Sequence, residues 1–228
     1  MTSAESTPLA LLPELCRGPS PYILNRTLIS HGKYQGLGTI TYIDPRDQTK
    51  TQRERDYIFL RHQNLHNPVG TLIPNIYKDN QDRWCTILVR QFRPQYESDT
   101  IEFPAGFIDR TGAETAEQAA IRELEEETTK TGTVINTSPP LTSGPVPIAA
   151  RLAAVFVHAR DKEGAEAGKQ RLDKGEFAVE LQVPLLELES RLQELQKQDV
   201  VIDPRVWMFA MGIRFTLELG LERGVSEL

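Results

Sequence analysis

Three glutamates near the middle of this chain are spaced so that together they could bind a divalent cation. Glu123, Glu126 and Glu127 are three and four residues apart, which places them on one side of an α-helix. Like charges at this spacing destabilise an isolated helix by roughly 0.2–0.5 kcal/mol, and a bound cation would remove that repulsion. Carboxylate oxygens suit Mg²⁺ or Mn²⁺, which in turn bind substrate phosphates. The alternative is a solvated acidic surface, on which Glu126 forms an ordinary ion pair with Lys130.

The element that must position these glutamates is a helix that we predict to begin directly after Thr115. Thr115 and Gln118 have the spacing of a capping box, in which each side chain bonds to a free backbone N–H of the first turn. Thr129 is poorly suited to the left-handed conformation that ends many helices, whereas Gly132 adopts it readily. We therefore expect the helix to continue towards Gly132.

The residues in and before this helix resemble the Nudix box. The resemblance rests on Gly106, Glu114, Arg122-Glu123-Leu124 and Glu126-Glu127. The upstream segments Gln91-Phe92-Arg93-Pro94 and Glu102-Phe103-Pro104-Ala105-Gly106 are similar to the ADP-ribose and ADP-sugar pyrophosphatase branch of the Nudix hydrolases. Two features differ from the family pattern: the interval from Gly106 to Glu114 is two residues longer, and Thr129 replaces a glycine. Neither difference removes a carboxylate.

The resemblance implies an α/β (α+β) fold, the Nudix-type α/β/α sandwich with a mixed sheet, preceded by a small N-terminal antiparallel β-sheet. We expect a flexible tail at 1–21, a β-sheet subdomain at 22–64 and a Nudix hydrolase domain at 65–228. Three segments in the subdomain have strand composition: YILNRTLIS, YQGLGTITYID and DYIFLRHQ, with a turn at 44–47. In the resembled enzymes such a sheet joins two subunits, which implies a homodimer.

Further elements follow from composition and periodicity. VGTLIPNIY, WCTILVRQF and IAARLAAVFVHAR are typical of strands, although the alanines leave a helix open for the first half of the third. Residues 131–146 are rich in Thr, Ser, Pro and Gly, which predicts a long irregular loop. Residues 161–177 have the composition of a mobile surface loop. A strand, a helix and a closing helix from 204 to about 221 are predicted to complete the chain.

The resemblance also implies which residues act in catalysis. In similar proteins the carbonyl at the position of Ala105 is a metal ligand, and with Glu123, Glu126 and Glu127 it would hold Mg²⁺ or Mn²⁺. Glu176 matches the position of the proposed general base, so either Glu126 or Glu176 would activate the attacking water. Without the resemblance, Glu176 is simply an exposed residue of an acidic loop.

Three residues are candidates for binding the substrate. Arg93 ends a predicted strand just before the acidic unit, where a guanidinium could bind a phosphate with two hydrogen bonds. Tyr34 occupies one of two positions at which the resembled enzymes stack adenine, and Gln52 stands at the second, where the family has an aromatic residue. Arg53 is a further candidate for a phosphate contact.

Other titratable residues are not assigned to the chemistry. We expect Glu102 and Arg122 to form a structural ion pair between the loop and the helix. His158 has no second titratable partner in the sequence, so we interpret it as a surface or core residue. Cys16 and Cys85 cannot form a disulfide framework, which favours a reducing compartment.

Composition limits the partners. The net charge of −6 and the pI near 5.4 argue against a broad nucleic-acid interface, which needs a basic face. No apolar run has the length of a transmembrane helix, and the first residues lack the pattern of a signal peptide, so we expect no membrane partner and a cytoplasmic or nuclear location.

The predicted activity is Mg²⁺-dependent hydrolysis of the pyrophosphate bond of ADP-ribose or a related nucleoside diphosphate sugar. The products would be a nucleoside monophosphate and a sugar phosphate. Two alternatives stay open. One is a Nudix hydrolase for another nucleoside diphosphate derivative. The other is a catalytically silent Nudix-fold binding module, which missing carboxylates would indicate; Glu123, Glu126 and Glu127 are all present.

Overall fold

A computed structural model describes residues 20–61, 67–109, 111, 113–144, 148–164, 167–172 and 177–220. Within these ranges thirteen strands are formed: β1 (Tyr22–His31), β2 (Gln35–Ile43), β3 (Gln52–Leu60), β4 (Gly70–Leu72), β5 (Asn75–Lys78), β6 (Trp84–Arg93), β7 (Ser98–Glu102), β8 (Ala105–Phe107), β9 (Lys130–Thr137), β10 (Leu141–Thr142), β11 (Arg151–Asp161), β12 (Ala178–Pro184) and β13 (Val201–Ile202). The α-helices of the same ranges are α1 (Ala116–Glu127), α2 (Leu188–Gln196) and α3 (Pro204–Glu218). In the described part of the chain, no helix has the length and apolar character needed to span a membrane.

The described residues divide into two compact units, and the first contains the small sheet. Its strands pair antiparallel in the order β1-β2-β3, as predicted. β3 begins at Gln52, four residues before the predicted segment, because the polar run that precedes it also pairs with β2. The segment around Ile148 belongs to this unit as well, since the backbone N–H of Ala149 donates to the carbonyl of Ile58 at 2.7 Å.

The second unit contains a mixed sheet. Its strands follow the order β13-β7-β6-β5-β11-β4-β8, with β12 paired to β6 and both β9 and β10 paired to β11. β11 runs parallel to β4 and β5, whereas β6 is antiparallel to β5, β7 and β12. The predicted strand VGTLIPNIY is interrupted between β4 and β5, at Ile73 and Pro74, because proline has no N–H to donate to a neighbouring strand.

Helices cover both faces of this sheet. Successive residues of β6 point to opposite faces. Ile87 packs in a buried cluster with Ala120 and Leu124 of α1, whereas Leu88 packs with Leu188 of α2 and Val206 of α3. The α/β/α sandwich with a mixed sheet is therefore confirmed, and α1 lies alone on its face among these helices.

Two details of this unit differ from or complete the sequence prediction. The predicted loop at 131–146 is wrong for its first half, where β9 pairs antiparallel with β11. The β-branched residues of TGTVINT suit a strand, and the Ser- and Pro-rich composition of the later residues obscured that signal. β11 is a strand throughout. On it His158 is exposed and packs beside Trp84, with ring centroids 5.6 Å apart.

Candidate active site

The N-terminal end of α1 is held by its own residues. The hydroxyl of Thr115 accepts a hydrogen bond from the N–H of Gln118 at 3.2 Å, and the Gln118 amide oxygen accepts from the N–H of Thr115 at 2.8 Å. The predicted capping box and the predicted helix start are both confirmed. This cap fixes where the turns begin and therefore which side chains share a face.

Arg122 connects the helix to the preceding loop and to two of the predicted metal ligands. Its Nε donates to Glu114 at 2.8 Å, and its Nη2 donates to the carbonyl of Phe107 at 2.9 Å. Its Nη1 donates to Glu123 at 2.8 Å and to Glu126 at 3.0 Å. The hydrogen bond from Arg122 lowers the pKa of Glu114, and the hydrogen bond to Glu114 raises the pKa of Arg122. Glu114 and Arg122 therefore stay charged at neutral pH.

The two-residue extension of the box lies in the loop that Glu114 also binds. The N–H of Asp109 donates to Glu114 at 2.9 Å, and Asp109 in turn accepts from the N–H and hydroxyl of Thr111. Glu114 therefore links Asp109 of this loop to Arg122 of α1.

β8 brings main-chain atoms against the carboxyl groups of the helix. The N–H of Ala105 donates to Glu127 at 3.0 Å, and Glu127 is only 7% exposed. A Cβ added to Gly106 would lie 1.9 Å from the carboxyl carbon of Glu123, so only glycine allows this close approach. Ala105, Glu123 and Glu127 are therefore brought together, while Glu126 joins them through Arg122.

The oxygen atoms of this region are of the chemical type that a hard divalent cation prefers. Three carboxylates and the carbonyl of a β8 residue are the ligand types that Mg²⁺ and Mn²⁺ take in proteins. Among the residues that the structure describes, no three acidic, histidine or cysteine side chains converge tightly enough to hold a metal ion. Glu123 and Glu126 share Arg122, and Glu127 turns towards Ala105. The glutamates thus share a helical face without forming a closed cage.

Comparison with known proteins decides the family. The NUDIX domain family matches residues 66–203. This range covers the mixed sheet of the second unit and α1 with Glu123, Glu126 and Glu127. This chain belongs to the Nudix hydrolase family. It is 32% identical over 195 residues to the ADP-sugar pyrophosphatase of Mus musculus, covering 84% of this chain and 87% of that protein. It is 34% identical over 185 residues to the ADP-ribose pyrophosphatase of Saccharomyces cerevisiae, covering 79% and 77%.

A solved structure shows the same fold. The crystal structure of an ADP compounds hydrolase matches with a TM-score of 0.60 over 87% of this chain and 95% of that one. Its sequence identity of 17% means that the likeness concerns the fold. The predicted Nudix resemblance and the hydrolase class are confirmed.

The Nudix helix α1 ends earlier than predicted. It stops at Glu127, so the expected continuation towards Gly132 is wrong. Thr128 is extended, with φ −130° and ψ 173°, and its N–H and hydroxyl both bond back to the carbonyl of Leu124. The helix therefore ends without any left-handed residue at Thr129, which explains why this Nudix chain does not need the family glycine there.

The ion pair between Glu126 and Lys130, which the alternative of a solvated acidic face predicted, is wrong. Lys130 lies on β9, pairs with Asp161 at 2.5 Å and places its ammonium 4.9 Å from the ring centre of Tyr77. Glu126 pairs with Arg122 instead.

Sequence reasoning missed the residues that hold the C-terminal end of this helix. Glu180 of β12 accepts hydrogen bonds from the N–H of Thr129 at 2.5 Å and from its hydroxyl at 3.1 Å. In addition, Lys162 is buried, so the predicted mobile surface loop at 161–177 is wrong for this described residue. The sequence did contain a signal for the contact of Glu180. Glu180 and Gln182 are two residues apart on β12 and therefore lie on the same face, which indicates a polar contact there.

The predicted ion pair between Glu102 and Arg122 is wrong, because each side chain has other partners. Arg93 donates two hydrogen bonds to Glu102, at 2.9 and 2.7 Å, and Thr100 donates a third at 2.5 Å. Burial alone would raise the pKa of Glu102, but these hydrogen bonds outweigh it and hold the pKa below its usual value. Arg93, the predicted phosphate contact, is therefore positioned by Glu102 at the end of β6.

The remaining predicted site residues lie in the first unit or outside the described part. Tyr34 is 60% exposed between β1 and β2, with the Lys33 ammonium 4.7 Å from its ring centre. Arg53 lies on β3 and pairs with Asp47 at 3.0 Å. Gln52 begins that strand and is exposed. Glu176 lies outside the described residues.

Proposed function

We propose that this Nudix hydrolase cleaves the pyrophosphate bond of ADP-ribose or a related nucleoside diphosphate sugar, using Mg²⁺ or Mn²⁺ bound at α1. The products are a nucleoside monophosphate and a sugar phosphate. The observation that carries the proposal is the contact between the carboxyl groups of Glu123 and Glu127 and the main chain of Ala105 and Gly106. This contact brings the carboxyl groups of the helix against the strand whose Ala105 carbonyl is the remaining proposed ligand.

The ion would be held by the carboxylates of Glu123, Glu126 and Glu127 and by the carbonyl of Ala105. When bound, it neutralises phosphoryl charge and makes the departing phosphate a better leaving group. Arg122 holds the carboxyl groups of Glu123 and Glu126 close together, since one Nη1 donates to both. Without that shared guanidinium, the two carboxylates would repel each other.

Glu126 is the carboxylate of this set with the most room to take a proton from water. Its side chain is 30% exposed, against 16% for Glu123, whereas Glu127 is buried as a residue. Glu126 is therefore the candidate base within this set, and Glu176 remains the candidate outside it. A general base must reach the proton it removes, and the partial exposure of Glu126 gives water access to its carboxylate.

The choice of substrate rests on relatives and on four side chains. The mouse and yeast relatives are named for ADP-sugar and ADP-ribose, which supports a nucleoside diphosphate sugar here. Arg93 and Arg53 supply guanidinium groups for phosphate, and Tyr34 supplies an exposed ring for the base. Gln52 cannot stack as an aromatic residue does, which removes roughly 1–3 kcal/mol of base stacking. That loss favours a relaxed preference for the base.

The homodimer is also part of the proposal. β1 is exposed along its whole length and presents five large apolar side chains: Tyr22, Ile23, Leu24, Leu28 and Ile29. An edge strand that presents such residues in a folded protein normally pairs or is covered. Size-exclusion chromatography with light scattering would give twice the chain mass if the proposal is right.

A substrate panel tests the activity. The purified protein is incubated with ADP-ribose, ADP-glucose, GDP-mannose and UDP-glucose in Mg²⁺, and products are separated by ion-exchange chromatography. We expect AMP and ribose 5-phosphate from ADP-ribose, and no product when EDTA is in excess. Turnover of ADP-ribose that is unchanged in EDTA, or a protein inactive on the whole panel with Mg²⁺ and Mn²⁺, would overturn the proposal.

A further inference from the structure

Four successive carbonyl groups at the C-terminal end of α1, the last three of the helix and that of the next residue, accept hydrogen bonds from residues that follow β11. The acceptors are the carbonyls of Glu125, Glu126, Glu127 and Thr128. The donors are the Lys162 ammonium, which bonds to Glu125 and Thr128, the N–H of Arg171, which bonds to Glu126, and the amide of Gln170, which bonds to Glu127. These are the carbonyls that a helix cannot satisfy by itself. Lys162, Gln170 and Arg171 therefore cap this helix end.

Lys162 contributes most to this cap. It is 7% exposed, and its ammonium donates to the carbonyl of Glu125, to that of Thr128 at 2.7 Å and to that of Lys169 at 2.7 Å. An ammonium has three N–H donors, so these bonds use all three. Burying a charged group is costly unless it is hydrogen-bonded, and a positive charge is favourable at a helix C-terminus. The side chain thus joins the helix end to its own segment.

We propose that Lys162 is a positioning residue for metal binding. By holding the carbonyls of Glu125 and Thr128, it fixes the last turn of α1, which carries Glu126 and Glu127. The proposal rests on the proposed function, because it assumes that these carboxylates bind the ion. It assigns a role to a residue that lies outside the Nudix box.

The position of the last turn matters because Glu127 must stay against β8. Its carboxyl group accepts from Ala105, and both residues belong to the predicted ligand set. Helix ends fray when their terminal groups lose partners. Mg²⁺ demands near-ideal ligand geometry, so a turn that frays binds it less tightly. Loss of the Lys162 bonds should therefore weaken cation binding even in a protein that remains folded.

The test compares Lys162→Met with Lys169→Met. Both changes replace an ammonium with an apolar chain of similar length, but Lys169 is exposed and only its backbone carbonyl takes part in the cap. Mn²⁺ binding is measured directly, from the free-ion electron paramagnetic resonance signal, at a temperature well below unfolding. We expect about a ten-fold weaker Mn²⁺ affinity for Lys162→Met, which corresponds to about 1.4 kcal/mol, and an unchanged affinity for Lys169→Met.

Two further variants keep the outcome decisive. Gln170→Ala removes the donor to Glu127, together with a longer hydrogen bond to the carbonyl of Ala178 at 3.3 Å, and leaves the Lys162 bonds in place. It should weaken Mn²⁺ binding about three-fold, so it replaces Lys162→Met if that variant does not fold. Glu127→Gln tests the underlying proposal. If Glu127→Gln abolishes binding but Lys162→Met and Gln170→Ala bind as tightly as the parent, the positioning role is wrong and the metal site stands. If Glu127→Gln binds normally, the metal site itself is wrong.

Discussion

The two ends of the Nudix helix are held in different ways. At the N-terminal end, Thr115 and Gln118 bond to each other across three residues. At the C-terminal end, side-chain bonds come from Lys162, Gln170 and Glu180, which lie 34 to 51 positions further along the chain than their partners. This difference indicates that the residues that stabilise the helix and the residues that serve catalysis lie at opposite ends of it. Changes at the N-terminal end should cost stability, and changes at the C-terminal end should cost activity.

The largest effect is expected at the C-terminal end, for Glu127→Gln. The amide keeps the shape of the side chain but lacks the charge that binds a cation, and an ion's contribution to catalysis is worth several kcal/mol. We predict that kcat/KM falls about 1,000-fold, or about 4 kcal/mol in transition-state energy. Initial rates with ADP-ribose and Mg²⁺ provide the measurement. The matched control is Glu117→Gln in the first turn, which should keep turnover within about two-fold; equal losses in both variants would remove the distinction between the two ends.

Gly106→Ala should separate activity from stability on β8. The added methyl group would lie 1.9 Å from the carboxyl carbon of Glu123. That group is the end of a flexible side chain, so it can move aside, and the cost in folding should stay under about 1 kcal/mol. Because Glu123 leaves its position, we predict about a 100-fold loss of turnover, on the scale seen when ligand placement is disturbed. Gly144→Ala, where an added methyl group meets nothing within 4 Å, is the control. A fully active Gly106→Ala protein would show that Glu123 need not lie there.

Thr115→Ala probes the opposite end of the helix. Loss of an N-cap hydroxyl typically costs about 1 kcal/mol, and the free energy of unfolding from urea titration should fall by that amount. Thr115→Ser retains the cap and should behave as the parent. Below the unfolding transition, kcat of Thr115→Ala should stay within about two-fold. A large loss of kcat with unchanged stability would reverse the assignment of the two ends.

The smallest effect is a pH dependence away from both ends, at Glu102. The pKa of Glu102 is lowered in the folded protein, so the pair with Arg93 stabilises it above the ordinary glutamate pKa of about 4.3. That contribution disappears as pH falls through the lowered folded pKa. Urea titrations of the parent and of Glu102→Gln should differ by under about 1 kcal/mol at pH 6 and converge at more acidic pH. A difference that grows as pH falls would contradict this sign.

Features of the site that depend on neighbouring residues in the chain could be predicted from the sequence, whereas contacts between distant residues could not. The capping box at Thr115 and Gln118 and the common helical face of Glu123, Glu126 and Glu127 follow from short spacings, and both are present. The predicted end of α1 was wrong because the residues that hold this end lie on β12 and in the segment after β11. Spacing along the chain contains no information about such contacts.

Ion-pair partners were wrong for a similar reason. Arg122 and Glu102 each form an ion pair, as predicted, but not with each other. Arg122 pairs with Glu114, and Glu102 pairs with Arg93. A partly buried charged residue is expected to have a partner of opposite charge, but the sequence does not say which residue that is. The pairing of β6 with β7 determines the partner of Glu102. Arg93 and Glu102 lie on those two neighbouring strands.

The most direct test of the central claim, that α1 binds a divalent cation, is anomalous diffraction from crystals soaked in Mn²⁺ with a non-hydrolysable ADP-ribose analogue. We predict a strong anomalous peak about 2.1 Å from carboxylate oxygens of Glu123 and Glu127 and from the carbonyl of Ala105. A peak bound by other residues, or none beside α1 in crystals whose protein cleaves ADP-ribose with Mn²⁺, would contradict the account.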